Sequence, residues 1–102
     1  MIALIEERRD RLSELCRAYD VRRLDLIGSA IRSDFDPRTS DLDFVVEFNN
    51  LSSRDAADRF LGLLVDLEDL FERNVDLVSY RAIRNHVFKR IVEETRVTLY
   101  AA

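Results

Sequence analysis

Acidic residues at short, regular spacing are the first feature of this chain that could do chemistry. Asp41 and Asp43 stand two positions apart, at the start of an apolar run that continues to Phe48. Because residues i and i+2 of a strand point to the same side, we expect the two carboxylates to project together, with Cα atoms about 7 Å apart. Two like charges at this distance repel each other, and a bound divalent cation relieves the repulsion. Hard oxygen ligands favour Mg²⁺ or Mn²⁺ over zinc.

A third carboxylate lies in a second apolar run. Val75 and Leu77 alternate with Asp76, which predicts a strand over 75–79 with Asp76 on the face opposite the two apolar residues. Aspartate is depleted from strands, so its position here needs a reason. If this strand lies beside the one that carries Asp43, three carboxylates converge. Such a cluster can hold two metal ions, which activate an attacking hydroxyl and steady a triphosphate for in-line displacement.

A possible phosphate site precedes the paired acids. The apolar run 24–27 leads into Gly28-Ser29, which predicts a strand, a tight turn and a short helix. The free N–H groups of a helix N-terminus bind phosphate. Arg32 is a candidate phosphate contact or an ion-pair partner of a nearby loop aspartate. Ser40 either caps the turn before the acids or contacts phosphate.

Taken together, these motifs resemble the nucleotidyltransferase superfamily related to DNA polymerase beta, whose signature is Gly-Ser, a loop, Asp-x-Asp and a later single Asp. The short chain is similar to the minimal nucleotidyltransferases, or MNT proteins, the antitoxin partners of HEPN toxins. The resemblance implies metal ligands and nucleotide contacts at matching positions: Asp41, Asp43 and Asp76 for metal, and Gly28, Ser29 and Arg32 for the phosphates. It further implies that Asp76 helps to deprotonate the acceptor hydroxyl.

The resemblance implies an enzyme with a protein substrate. It would transfer AMP from ATP, with Mg²⁺, to a tyrosine of a HEPN ribonuclease toxin and so act as a type VII-like antitoxin. Ser33 replaces a glycine found in many relatives, and the loop to Asp41 is one residue longer than in their commonest form. These departures leave open a binding antitoxin that occludes its partner without catalysis. Transfer to a small molecule such as an aminoglycoside is a third possibility, although such enzymes usually carry a helical acceptor-binding domain.

Composition narrows the other possibilities. Residues 1–102 are expected to form a single domain, and the net charge of −4 argues against a general nucleic-acid coat. A single cysteine, Cys16, excludes a disulfide within the chain and a cysteine-based zinc site. Charged residues at positions 6–9 are unlike a signal peptide or a membrane span. We therefore expect a cytoplasmic protein.

The remaining elements are predicted from periodicity. Helical spacing extends over Met1–Tyr19 and over 53–71, and a last strand is expected over 96–100. His86 is expected on a short surface helix between Ile83 and Ile91. Alternating helices and strands predict an α/β or α+β fold with a small mixed sheet. The 53–71 helix is expected to pack through six residues: Ala57, Phe60, Leu61, Leu64, Leu67 and Phe71. In the last strand, Val97 and Leu99 are expected inside, with Thr98 and Tyr100 outside.

Overall fold

Helices and strands alternate along the chain. The computed structural model describes residues 3–28, 41–49 and 53–102. The helices are α1 (Ala3–Glu7), α2 (Arg9–Ala18), α3 (Ser53–Phe71) and α4 (His86–Thr95). The strands are β1 (Val21–Ile27), β2 (Leu42–Phe48), β3 (Val75–Ser79) and β4 (Val97–Ala101), and a 3₁₀ turn (Tyr80–Ala82) follows β3. The predicted strand over 75–79 and helix over 53–71 are confirmed.

The strands form one mixed sheet in the order β3-β2-β1-β4. β1 pairs antiparallel with both β2 and β4, whereas β2 and β3 are parallel. A parallel pair needs a crossover connection, which α3 supplies. The predicted α+β fold with a small mixed sheet is confirmed.

One face of the sheet carries the main core. Alternate residues of β1 and β2, such as Leu24, Leu26 and Phe44, point to this face and pack against α1, α2 and α3. The rings of Phe44 and Phe71 join the sheet to the end of α3, with centroids 5.8 Å apart. Within the described ranges, none of the helices has the length and apolarity needed to cross a lipid bilayer.

The opposite face carries a smaller core under α4. Ile27 and Val45 are buried against Val92 of α4, and three partly buried side chains surround them: Val78, Tyr80 and Ile83. Asn85 caps the start of α4, where its side chain accepts hydrogen bonds from the N–H groups of Val87 and Phe88. α4 is therefore fixed to the sheet through one apolar side.

A buried ionic network anchors the end of α4. Asp25 is only 1% exposed, and its carboxylate lies 3.0 Å from Arg23 Nε and 3.4 Å from Arg96 Nε. The Arg96 guanidinium also lies 3.5 Å from Glu47 and stacks on the Tyr80 ring, 5.0 Å from its centroid. Arg96, the residue directly after α4, thus connects the end of this helix to β1, β2 and the 3₁₀ turn.

Several packing details differ from the sequence predictions. The first helix is interrupted at Arg8, whose guanidinium donates to the Leu70 carbonyl at the end of α3. Leu61 is 56% exposed and Ala57 is also exposed, because α3 instead turns Leu63 and Leu70 toward the sheet.

The last strand also differs from its prediction. Leu24 pairs with Tyr100 and Asp25 with Thr98, so a β-bulge leaves Leu99 as the extra residue. As a result both Leu99 and Tyr100 contact the main core, although Tyr100 was expected outside. The predicted helix around His86 is confirmed and extends to Thr95.

Replacement of Arg96 by methionine is expected to destabilise the fold, because Asp25 would stay buried with one cation fewer beside it. Breaking a buried ion pair by removing one partner typically costs about 3–5 kcal/mol, and the loss here should be smaller, about 1–3 kcal/mol, because Asp25 keeps Arg23 at 3.0 Å. Urea denaturation of Arg96→Met measures this loss in the free energy of unfolding.

Arg90→Met, at an exposed position of α4, is the matched control and should change the free energy of unfolding by less than about 0.5 kcal/mol. The double variant Asp25→Leu, Arg96→Met should recover most of the loss, since it leaves no unpaired buried charge. Equal stability of Arg96→Met and Arg90→Met would contradict the anchoring role.

Candidate active site

The register of the parallel pair places two of the predicted acids side by side. Asp43 of β2 is paired with Asp76 of β3. Residues paired across neighbouring strands share a face, and adjacent strands lie about 4.8 Å apart. Val75 and Leu77 point into the main core, so Asp76 projects from the opposite face, as predicted, and is exposed to solvent. Asp43 lies beside it and is half-buried.

The connection from α3 to β3 fixes this register. Glu72, directly after α3, adopts a left-handed conformation with φ of 53°, which turns the chain back toward the sheet. The N–H of Val75 then donates to the Glu68 carboxylate at 3.1 Å, and the N–H of Leu42 donates to the Asn74 carbonyl at 3.3 Å. β2 and β3 therefore start level with each other, and the aspartate one position into each strand meets its counterpart.

Gly28 closes the site from the side of β1. Ile27, the last residue of β1, is paired with Asp43, and Gly28 follows it with φ of +78°. A Cβ atom at position 28 would lie 3.1 Å from Asp43 Cγ and would overlap with Asp43 Oδ2. Only glycine accommodates both this conformation and this close approach. The predicted Gly28 is thus brought into contact with the carboxylate of Asp43.

The other predicted site residues are not part of this pairing. Asp41 is exposed and precedes β2, which begins at Leu42, so it lies before the register that pairs Asp43 with Asp76. Ser29, Arg32 and Ser40 lie outside the described residues.

The described carboxylates fit a metal ion that is coordinated partly by the protein and partly by a substrate. Among the described side chains, no group of three His, Cys, Asp or Glu residues is close enough together to hold a metal ion. Mg²⁺ is usually bound by one or two carboxylates together with substrate phosphates, rather than in an all-protein cage. Asp43 and Asp76, adjacent on one face, are suited to that form of binding.

Hydroxyl and thiol groups elsewhere in the chain are poorly suited to react. Tyr19 donates a hydrogen bond to Asp66 at 2.5 Å, and Tyr80 donates to Glu93 at 2.7 Å. Each hydrogen bond, with burial and the charge of the carboxylate, raises the pKa of the tyrosine that donates it. Burial raises the pKa of the Cys16 thiol to about 12 despite the nearby Arg17. Each of these three groups is thus held protonated and is a poor nucleophile without a base beside it.

The buried Asp25 and the half-buried Arg96, both near the site, were missed from sequence. Asp25 and Arg96 share a sheet face with Asp43, and Asp25 is paired with Val45, two positions further along β2. An aspartate inside the apolar run 24–27 was the available signal, since it breaks the strand pattern as Asp76 does. The sequence offers no comparable signal for Arg96, one of many arginines in the chain.

Comparison with known proteins agrees with this geometry. Residues 8–99 match the family model described as a nucleotidyltransferase domain. The protein named "Putative protein adenylyltransferase MJ1379", from Methanocaldococcus jannaschii, is 32% identical over 76 residues, which cover 74% of this chain and 74% of that protein.

Solved structures show the same fold. A structure described as that of a putative minimal nucleotidyltransferase has a TM-score of 0.67 and 27% identity, over 94% of this chain and 95% of that one. A chain in the complex of a tri-AMPylated Shewanella oneidensis HEPN toxin with an MNT antitoxin has a TM-score of 0.66 and 19% identity, over 95% of this chain and 72% of that one. The family match agrees with the pairing of Asp43 with Asp76 and with the close approach of Gly28 to Asp43. This chain therefore belongs to the nucleotidyltransferase domain family and has the fold of the minimal nucleotidyltransferases.

Proposed function

We propose that this chain transfers AMP from ATP to a hydroxyl group on a partner protein. The observation that carries the proposal is the in-register pairing of Asp43 with Asp76, with Gly28 in contact with Asp43, in a chain of the nucleotidyltransferase family. The adenylyltransferase relative supports AMP as the transferred group. The AMPylated toxin in the complex of similar fold supports a HEPN toxin as the partner. The acceptor that we propose is a tyrosine hydroxyl of that toxin. This chain would then be the antitoxin, in the cytoplasm.

Each site residue has a role in this reaction. Asp41, Asp43 and Asp76 would ligate Mg²⁺, with Mn²⁺ as a substitute, and Gly28, Ser29, Arg32 and Ser40 would hold the nucleotide. When bound, the metal supplies neutralising charge for the triphosphate.

The exposed position of Asp76 suits it to meet a hydroxyl from another protein. Its carboxylate would take the hydroxyl proton while the acceptor oxygen bonds to the α-phosphorus of ATP. The bond from that phosphorus to its bridging oxygen breaks, and pyrophosphate leaves. The half-buried Asp43 would hold the metal beside Gly28, where the missing side chain leaves room for the Asp43 carboxylate.

The test is an intact mass spectrum of the proposed HEPN-domain partner, after incubation with the chain, ATP and Mg²⁺. A mass gain of whole AMP units, together with released pyrophosphate, is the expected result. A stable complex without any mass gain would contradict the transfer reaction and favour an antitoxin that acts by occlusion.

Asp43→Asn and Asp76→Asn should each abolish most of the transfer and leave the fold intact. A metal contributes several kcal/mol to the transition state, so loss of a ligand should lower the transfer rate by at least about a hundredfold. Both positions reach solvent, so the midpoint of thermal unfolding without ligand should fall little or rise as repulsion is relieved. Asp69→Asn, at an exposed position of α3, is the matched control. Full transfer by Asp76→Asn would exclude it as the base.

Gly28→Ala should lower the rate of AMP transfer strongly and the free energy of unfolding only slightly. The new methyl group must displace the Asp43 carboxylate, and a positive φ costs a non-glycine residue of order 1 kcal/mol. We expect a fall in the transfer rate of at least about tenfold with the fold retained, since a small misplacement of reacting groups is costly. Gly62→Ala in α3 is the control, because its methyl group would meet Tyr19 on the other side of the sheet. Unchanged transfer by Gly28→Ala would contradict the close approach.

A further inference from the structure

The outer side of α4 exposes a strip of large apolar side chains. Val87 is 70% exposed, Ile91 50% and Phe88 38%, and we call these three residues the α4 strip. Their spacing places them on one side of the helix. Val92 is buried, so the apolar contact of α4 with the sheet is made elsewhere on the helix. Clustered apolar exposure of this kind is typical of an interaction site rather than of an ordinary solvent face.

Basic groups lie along the N-terminal part of the α4 strip. Residues 81–90 contain four cations, Arg81, Arg84, Lys89 and Arg90, and no carboxylate, whereas Glu93 and Glu94 follow in the last turn of α4. Arg90 lines a shallow depression of about 310 Å³ with His86 and Val87. An apolar centre with a charged rim is the usual anatomy of a protein interface. Its complement is an apolar surface bordered by aspartate and glutamate.

The α4 strip lies on the side of the sheet that presents the site carboxylates. Val92 of α4 packs with Val78, which is two positions from Asp76 on β3 and so shares its face. Val45 of the same cluster is two positions from Asp43. A protein seated on α4 would therefore lie on the same side as Asp43 and Asp76, where an acceptor hydroxyl is needed.

A second copy of the chain fits the α4 strip less well than an acceptor protein does. Two α4 strips facing each other would cover, with a second copy, the side of the sheet on which the acceptor protein is needed. The exposed Leu61 and Val65 of α3, flanked by Asp58 and Asp69, offer a complementary surface. Contact between α4 of one copy and α3 of the next would be heterologous, and such contacts form filaments unless the rotation happens to close a ring.

We propose that the α4 strip is the docking surface for the protein that receives the nucleotide, and that this partner meets it with apolar side chains bordered by carboxylates. The proposal rests on the proposed function, because it assigns the recognition step to a surface separate from Asp43 and Asp76. Phe88 and Ile91 are the central contacts, and Arg90 favours the approach of an acidic partner.

The test measures the affinity of the full chain for the proposed HEPN-domain partner. Phe88→Asp and Ile91→Asp should each weaken binding by at least about thirtyfold, the level of an interface hot spot. Leu61→Asp and Val65→Asp, matched in exposure on α3, should change affinity by less than about twofold. Arg90→Glu should act mainly on the association rate and reduce its dependence on salt. All variants should bind a fluorescent ATP analogue as the wild type does.

Other results would overturn the proposal. These are wild-type affinity in Phe88→Asp and Ile91→Asp, greater loss in the α3 variants, no binding by the wild type, or a dimer of the chain alone that the α4 variants disrupt. The experiment distinguishes failure of the docking proposal from failure of the proposed transfer reaction. If Ile91→Asp binds and modifies the partner normally, docking on α4 is wrong and transfer stands. If the wild type binds through α4 but no AMP is transferred, docking stands and the proposed function is wrong.

Discussion

The parallel pairing of β2 with β3 is the constraint on which the site depends. Asp43 and Asp76 are far apart in the chain, and only the register of these two strands makes them neighbours. A shift of one residue would turn either aspartate into the main core and expose its apolar neighbours. Packing of Val75, Leu77 and Phe44 into that core therefore stabilises the register that brings the acids together. The repulsion between the carboxylates is overcome by this burial.

The two faces of the sheet have different tasks. The face under α1, α2 and α3 buries most of the apolar side chains and provides most of the stabilisation. The other face has a small apolar core, the carboxylates at one end, and a buried ionic network of Asp25, Arg96 and Glu47. Since this network fixes the end of α4, it also fixes the orientation of the α4 strip relative to the carboxylates. Catalytic groups and partner recognition would thus share one face while stability depends largely on the other.

Much of this arrangement could be predicted from sequence because local patterns carry it. The alternation around Asp76 and the long apolar periodicity of α3 predicted both elements within their observed bounds. Tertiary packing decided what local patterns could not. The bulge that turns Tyr100 inward and the burial of Asp25 against Arg96 arise from pairing between β1 and β4 and from contacts distant in sequence. The exposure of Leu61 was also missed, because a helix with apolar residues on several sides does not by itself reveal which side meets the sheet.

The most direct test of the account is to locate the divalent cation by paramagnetic broadening of the amide resonances with Mn²⁺, in the presence of a non-hydrolysable ATP analogue. The account predicts that broadening centres on Gly28, Asp43 and Asp76 and disappears in the Asp43→Asn, Asp76→Asn double variant. Broadening centred on the acidic surface of α3, or broadening that the double variant retains, would contradict the claim that strand pairing builds a metal site at this end of the sheet.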